Sequence, residues 1–505
     1  MANGAAGRSG AWRGEGLERG TDIRRGGPSV AAIVFLLWLV AIPAFFAGRL
    51  LNTDGDLASH IFLGRRVLEH GPVVPVDWAF TAPGAVFVAY EWLSEVLLAG
   101  GESVLGLPGI AALGTLLIAG AVALVASYLS RHLEPFLVLP AAMGVAVLTA
   151  ARWSARPHLF TLFSLAALLW LATSRRRWRT PAIGVLFALW ANLHPAFLYG
   201  LVIYLAYLAG EVLDERSGRA LRGGAIAAAT AGLATLLNPL GWGLHGAVLE
   251  HLRDREAFRM VDEFLPPSPG TVQGALFFAT LALLAWLAVR ARRLPPWSAL
   301  LPLALAIAGA FVSARNVALL ALFALPLTLR HLLEPRTGEP TFAAEFRARL
   351  RADEARASTG PWIAGGAGAL GVAALVSAVG LAPLLPRAFS GDVFPAAAVA
   401  HARARGMTGR PFFHEYTWGG YLLYAWPGQT IYIDGMANLF GSDLMLEYAA
   451  LYEAAEGWQR VLDDRGIEAI LLPPDSPLIR AAGSEDRWRV EHRSDTAVLL
   501  TRAAG

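Results

Sequence analysis

The 505-residue sequence has neither cysteine nor lysine. Without cysteine it can form no disulfide, thiol nucleophile or cysteine-ligated metal site. All 42 basic residues are therefore arginine, so an arginine in this chain is informative by its position rather than by its abundance. Charge is scarce too, at 16% Asp, Glu, Lys and Arg where soluble domains carry about 25%. The 42 basic and 39 acidic residues leave only +3. Despite a pI near 9.3, that balance gives no footprint for nucleic acid. Absence of lysine also removes any Walker loop, and no nucleotide-phosphate loop is expected. What remains is hydrophobic: 55% of residues and a mean hydropathy of +0.49 describe a chain that belongs in a bilayer.

A membrane-spanning helix takes about 20 mostly apolar residues. Runs of that kind lie near 30–48, 108–129, 135–151, 158–174, 181–213, 223–241, 272–290, 296–313, 315–330 and 361–385. The 181–213 run is too long for one span. It contains N-L-H-P at Asn192 to Pro195, and proline disfavours helix in the residue before it, so the run divides in two. The expectation is a polytopic α-helical protein of the cell membrane with about 11 spans.

Short arginine-rich loops stay in the cytoplasm. Arg24 and Arg25, the cluster Arg175, Arg176, Arg177 and Arg179, then Arg216, Arg219 and Arg222, then Arg290, Arg292 and Arg293, and the 331–359 loop are all inside together on one condition. Residues 49–107 must form a large first outer loop, with the apolar helix near 91–105 lying on the surface or re-entering. The apolar run from Val30 is long and lacks a small-residue cleavage pattern, so residues 1–29 read as a cytoplasmic tail and not a cleaved signal. From 386 charge rises and no run reaches spanning length. Runs at Thr430 to Ile433 and Glu468 to Leu472, with helix-like stretches over 442–465, predict a βαβ unit. Residues 386–505 are thus expected to be a small α/β domain, outside the membrane on the extracytoplasmic side.

With this topology the unusual polar residues gather at the outer face. Ionisable groups at membrane depth are costly and usually line cavities or substrate paths, which points to an outward-facing polar site. T-D-G-D-L-A-S-H, Thr53 to His60, follows the first span and opens an amphipathic helix, with His60 one turn after Asp56. Two carboxylates beside an imidazole suit deprotonation of a hydroxyl or capture of a divalent cation, and helix capping is the plainer use of the aspartates. Arg152 and Arg156 in R-W-S-A-R-P-H, with Arg315 in S-A-R-N, offer planar forks for phosphate, or snorkel to headgroups. His194 and Asn192 in W-A-N-L-H-P lie at a helix end beside proline, as does Asn238 in L-N-P-L-G-W. D-E-F-L-P-P-S-P brings Asp262 and Glu263 to an outer turn, with solvated loop charge as the alternative. In the tail, Asp434 of Y-I-D-G is placed at a strand end, where ligands of α/β sheets bind.

The order of these motifs resembles the GT-C superfamily of membrane glycosyltransferases, in particular the protein mannosyltransferase, aminoarabinose transferase and rhizobial lipopolysaccharide sugar transferase groups. It runs from D-G-D through E-W-L-S-E (Glu91 to Glu95), A-R-P-H (Ala155 to His158), W-A-N-L-H (Trp190 to His194), L-N-P-L-G (Leu237 to Gly241) and D-E-F-L-P-P-S-P to W-G-G-Y-L and Y-I-D-G. The resemblance makes 30–385 a GT-C-like transmembrane domain. It implies transfer of a sugar from a polyprenyl-phosphate donor to an envelope glycan, lipid or protein at the outer face. It further implies that an acid of the first outer loop, Asp54 or Asp56, is the catalytic carboxylate. Arg152, Arg156, Arg315, His158 and His194 are then expected at the donor phosphate. His60, Glu91, Glu95, Asn192, Glu263 and Asp434 are expected to contact substrate. No organic cofactor is expected, and a divalent cation is left open. A transporter would instead show internal repeats and charge spread through the membrane depth, and a non-catalytic scaffold of envelope assembly would need no converging site.

Overall fold

In the computed structural model, residues 27–53, 55–174, 176–251, 264–333 and 341–503 are described. Asp54, Arg175, Asp262 and Glu263 lie outside them. The apolar runs fold as helices: α1 (Val30–Phe45), α2 (Ala47–Asn52), α3 (Asp56–His70), α4 (Trp92–Leu129), α5 (Pro135–Thr149), α6 (His158–Ala172), α7 (Arg179–Leu193), α8 (Phe197–Glu215), α9 (Gly218–Ala234) and α10 (Trp242–His251), followed by Val272–Ala291, Trp297–Val312, Val317–Leu322, Ala324–Leu332 and Gly360–Ala378. Several starts carry the side-chain caps that exposed helical N–H groups require. Ser29 Oγ accepts from Ala32 N at 3.1 Å, Ser217 Oγ from Ala220 N at 3.1 Å and Thr271 Oγ1 from Gly274 N at 3.1 Å, each worth about 1 kcal/mol. Among the described residues, five helices are long and apolar enough to cross a membrane: Trp92–Leu129, Pro135–Arg152, Phe197–Glu215, Val272–Ala291 and Gly360–Ala378.

The 38-residue α4 organises the bundle. It breaks at Gly106, with Pro108 just beyond, into an amphipathic N-terminal part and a deeply buried apolar C-terminal part. Against it pack α1, α3, α6 and Gly360–Ala378. The G-A-G-A-L-G run from Gly366 to Gly371 has the spacing of a dinucleotide-binding fingerprint, yet it lies wholly inside the helix Gly360–Ala378. That fingerprint works only at a strand-to-helix turn, so here the run is ordinary helix, in which Gly366 packs closely against Leu36 and Leu39 of α1. At N-L-H-P, α7 ends at Leu193, His194 is extended and α8 begins at Phe197.

The loop after α3 forms a hairpin of β1 (Val73–Pro75) and β2 (Val86–Val88). The tail builds a four-stranded sheet from β3 (Phe412–His414), β4 (Ala469–Leu472), β5 (Trp488–Arg493) and β6 (Val498–Arg502) in the order β3-β4-β6-β5. Only β3 and β4 are parallel, Phe412 facing Ala469. This corrects the predicted βαβ unit, because the parallel partner of β4 is Phe412–His414. Residues 430–433 form no strand and make one isolated bridge, Ile431 with Ala79. Their apolar side chains are buried because they pack under the hairpin, and burial without a ladder gave the same pattern as a strand. Leu63, Val67, Val74, Trp78 and Phe87 of the α3 region share one apolar core with Phe412, Phe413, Tyr432 and Leu471 of the tail.

Candidate functional site

Two close approaches set the site. At Gly64 of α3 a Cβ would lie 2.0 Å from the Glu95 carbonyl oxygen, so only glycine lets α3 and α4 meet there. One turn earlier His60 faces Glu91, the residue that caps the start of α4, and Glu95 in the first turn, whose N–H donates to the Glu91 carbonyl at 3.2 Å. At Gly420 a Cβ would lie 2.1 Å from Ser59 Oγ, which lets the tail helix Gly419–Ala425 seat against α3. There Ser59 Oγ donates to Asp434 Oδ2 at 2.9 Å, while Asp434 Oδ1 accepts from Met436 N at 3.1 Å.

His60 Nδ1 stands 3.6 Å from Glu95 Oε1 and 3.9 Å from Glu91 Oε2. These three side chains each offer one ligand atom within 4.8 Å of the others, the arrangement that can hold a metal ion. The other Glu91 oxygen lies 3.5 Å from His194 Nε2. His194 Nδ1 accepts from Ala196 N at 3.1 Å and stands 2.9 Å from Thr161 Oγ1, which itself accepts from Trp190 Nε1 at 2.8 Å. With Nδ1 occupied as an acceptor, the proton of neutral His194 sits on Nε2, facing Glu91. Arg156 pairs with Asp56, and the Ala155 N–H donates to Leu50 O at 2.8 Å, tying this turn to α2. Arg315 stacks over Phe264 at 4.5 Å, and its charge reaches Tyr90 and Glu91.

Burial pushes the Glu91 carboxyl up to about 7, with neighbouring Glu95 adding and with His60, Arg315 and Arg156 opposing. Burial also raises Asp434 to about 7, against the hydrogen bonds from Met436 and Ser59. Burial disfavours the His60 imidazolium, but Glu95, Glu91 and Asp56 outweigh it and leave the pKa above its ordinary value.

The structure thus gathers Asp56, His60, Glu91, Glu95, Arg156, His194, Arg315 and Asp434. Others serve as bracing. His158 Nε2 donates to the Arg152 carbonyl at 2.6 Å. Asn192 uses both amide hydrogens on Ala188 O and Leu237 O, at 2.7 and 2.8 Å, and accepts from Trp92 Nε1 at 2.8 Å. Asn238 closes its own turn by accepting from Leu240 N at 2.8 Å. Asp434 is in the site but not at a strand end, since residues 430–433 just before it form no strand. Asp77 pairs with Arg66 at 2.7 Å on the surface. Ser59, Thr161 and Trp190 were not singled out from the sequence. For Ser59 the signal was present, three residues after Asp56 on the same helix. For the other two, nothing in an apolar helix marks a hydroxyl or an indole as the support of a histidine.

The opposite ends of α6, α7 and α8 are different in character. There a cavity of about 660 Å³ is lined by Arg176, Arg177, Arg179, Arg330, His132 and Glu211, among others. The carboxylate and imidazole cluster is therefore at one end of the helices and the arginine-rich loops at the other.

No protein-family model matches the sequence, and no curated protein matches it. Among solved structures, the chain is similar to the archaeal oligosaccharyltransferase AglB from Archaeoglobus fulgidus, in complex with an inhibitory peptide and a dolichol-phosphate. The TM-score is 0.53 at 11% identity, covering 88% of this chain and 69% of that one. Also similar is ArnT from Cupriavidus metallidurans bound to undecaprenyl phosphate, with a TM-score of 0.48 at 14% identity over 94% of this chain and 97% of that one. At 11% identity the likeness to AglB is one of fold.

Proposed function

We propose that the protein is a glycosyltransferase that moves a sugar from a polyprenyl-phosphate carrier to an envelope lipid, glycan or protein at the outer face of the cell membrane. The observation that carries the reading is the meeting of Asp56 and Arg156, with Glu91, His194 and Arg315 beside them, at one end of the helices. Transfer needs that pairing of charges. As the acceptor oxygen bonds to the anomeric carbon, the bond from that carbon to the phosphate oxygen breaks, and the charge left on the phosphate calls for fixed cations. Arg156, Arg315 and Arg152 supply them. The acceptor proton passes to a carboxylate, Asp56 or Asp54. In the resting protein Asp56 is neutralised by Arg156. An arriving lipid phosphate competes for that guanidinium and frees the carboxylate for the acceptor, so donor binding prepares the base. In this reading the N-terminus is cytoplasmic, and the tail lies outside, bringing Asp434 over the acceptor side of the site.

The one-sided grouping of charge favours this reading over a transporter, which needs polar groups along a path through the membrane. The test is incubation of purified protein in lipid nanodiscs with radiolabelled polyprenyl-phosphate sugars and an envelope extract. Label should move to an acceptor and fail to move with the Asp56→Asn variant. Absence of transfer from every polyprenyl-phosphate sugar offered would count against the proposal.

A further inference from the structure

We propose that His60, Glu91 and Glu95 bind one divalent cation of the class that accepts imidazole and carboxylate together, such as Zn²⁺ or Mn²⁺. The Glu95 side chain is only 3% exposed, yet its Oε2 has no hydrogen-bond partner, and neither has the buried His60 Nδ1. Glu95 thus keeps one buried oxygen, Oε2, without a partner while its Oε1 faces the equally unpartnered His60 Nδ1 beyond hydrogen-bond range, an unfavourable arrangement unless something sits between the groups. Direct pairing would draw the groups to about 2.7–2.9 Å, but they stand 3.6 and 3.9 Å apart. Around a tetrahedral cation with bonds of about 2.0–2.1 Å, neighbouring ligand atoms are separated by about 3.3 Å. The two separations from His60 Nδ1 therefore exceed that spacing by about 0.3 and 0.6 Å, and all three ligand atoms lie within 4.8 Å of one another, so small side-chain adjustments would close the set around a cation.

The surroundings fit the same reading. Glu91 caps the start of α4 and Glu95 lies in its first turn, and the Gly64 contact holds α3 at the distance that sets His60 opposite them. His194, locked by Thr161 and Ala196, turns its Nε2 toward the second Glu91 oxygen and so orients the carboxylate, as outer partners of metal ligands do. The imidazole separates this donor set from the all-oxygen sites of Mg²⁺ and Ca²⁺. Three protein ligands leave a further coordination position for water or a phosphate oxygen. That last role rests on the proposed transfer reaction, whereas cation binding itself does not.

The experiment reads binding, so it stands apart from any assay of transfer. Full-length protein in nanodiscs is stripped with chelator, exposed separately to Zn²⁺, Mn²⁺, Mg²⁺ and Ca²⁺, and its metal content and thermal unfolding are measured. The expected result is about one Zn²⁺ or Mn²⁺ per chain, a cation-dependent rise in unfolding temperature, and at least a roughly tenfold weaker affinity in Glu95→Gln and in His60→Gln. Glu102→Gln, which changes an α4 carboxylate paired with Arg65, should bind as the parent does. If Glu95→Gln does not fold, His60→Gln decides alone. Less than about one tenth of a metal per chain in the parent, equal affinity in the His60 variant, or binding of Mg²⁺ and Ca²⁺ only would overturn the proposal.

Discussion

Arg156 donates to the Asp56 carboxylate, joining the turn before α6 to the first turn of α3 across 100 residues of sequence. Both groups are partly screened, Arg156 at 12% and Asp56 at 31% side-chain exposure, so the pair is open enough to exchange partners. A phosphate offers the same guanidinium fork a second acceptor of equal geometry.

Arg156→Ala should therefore weaken binding of polyprenyl phosphate by roughly ten- to a hundredfold, since a charge-assisted hydrogen bond contributes about 1.5 to 3 kcal/mol. Arg176→Ala, in the cavity at the far helix ends, should leave that affinity unchanged. Titrating labelled polyprenyl phosphate into both variants checks it, and equal dissociation constants would remove Arg156 from the donor site.

Asp56→Asn should lower the rate of sugar transfer by about a hundredfold to ten-thousandfold, the usual contribution of a general base. Expression should stay near that of the parent, and donor binding should hold or tighten, because the phosphate no longer competes with a charged Asp56 for Arg156. Asn serves at a helix start about as well as Asp, so a purely structural Asp56 would leave the rate intact. Asp54→Asn, measured alongside, tells which of the two acids takes the proton.

The helices were legible because a bilayer imposes a length and a composition that an apolar run must meet; the runs became helical, though 315–330 divides into Val317–Leu322 and Ala324–Leu332, and 108–129 continues a helix that starts at Trp92. Asp56, His60, Glu91, Arg156 and Arg315 were legible because a charge near an apolar helix is expensive. What could not be read was their pairing. Whether His60 faces Glu91 or solvent depends on how closely α3 approaches α4, and that is decided by Gly64, a residue with no chemistry of its own. Thr430 to Ile433 misled for the converse reason: four consecutive residues with apolar burial at Ile431 and Ile433 look the same in sequence whether a hairpin or a neighbouring strand covers them.

Gly64→Ala tests that approach. The new Cβ would sit 2.0 Å from the Glu95 carbonyl oxygen, and backbone cannot yield as a flexible side chain does, so the helices must part. Overpacking of this kind costs about 1 to 3 kcal/mol. The variant should inactivate at a lower temperature than the parent and transfer sugar more slowly. Gly144→Ala, where nothing lies within 4 Å, should match the parent, and matching behaviour in both variants would show that the contact is not limiting.

The tail should lose stability in acid through His414. Its Nε2 accepts from Tyr432 N at 3.0 Å and its Nδ1 donates to Glu415 O at 3.0 Å, a pattern that only the neutral ring can complete. Burial lowers its pKa to about 4. Because the folded value is below the unfolded 6.5, the unfolded chain takes up the proton first, so stability is full above about pH 6.5 and declines as pH falls toward 4. At 1.36 kcal/mol per unit the loss reaches roughly 2 kcal/mol at pH 5. Hydrogen-exchange protection at β3 and at 430–434, taken relative to the intrinsic rate at each pH, should fall over that range in the parent and change little in His414→Gln.

The orientation of the whole chain carries the outer-face reading, and the charge pattern makes it testable. Arg176, Arg177, Arg179 and Arg330 gather at one end of α6, α7 and α8, and positively charged short loops are retained in the cytoplasm. His194, Arg156 and Asp56 belong to the other end, together with the tail that shares its core with the α3 region. An alkaline phosphatase fused after residue 386 should accordingly be active, because that enzyme matures only outside the cytoplasm, and one fused within 176–179 should be inactive. Activity at the arginine cluster with silence at 386 would invert the molecule. The carboxylates would then face the cytoplasm, where the proposed outer-face acceptor could not reach them.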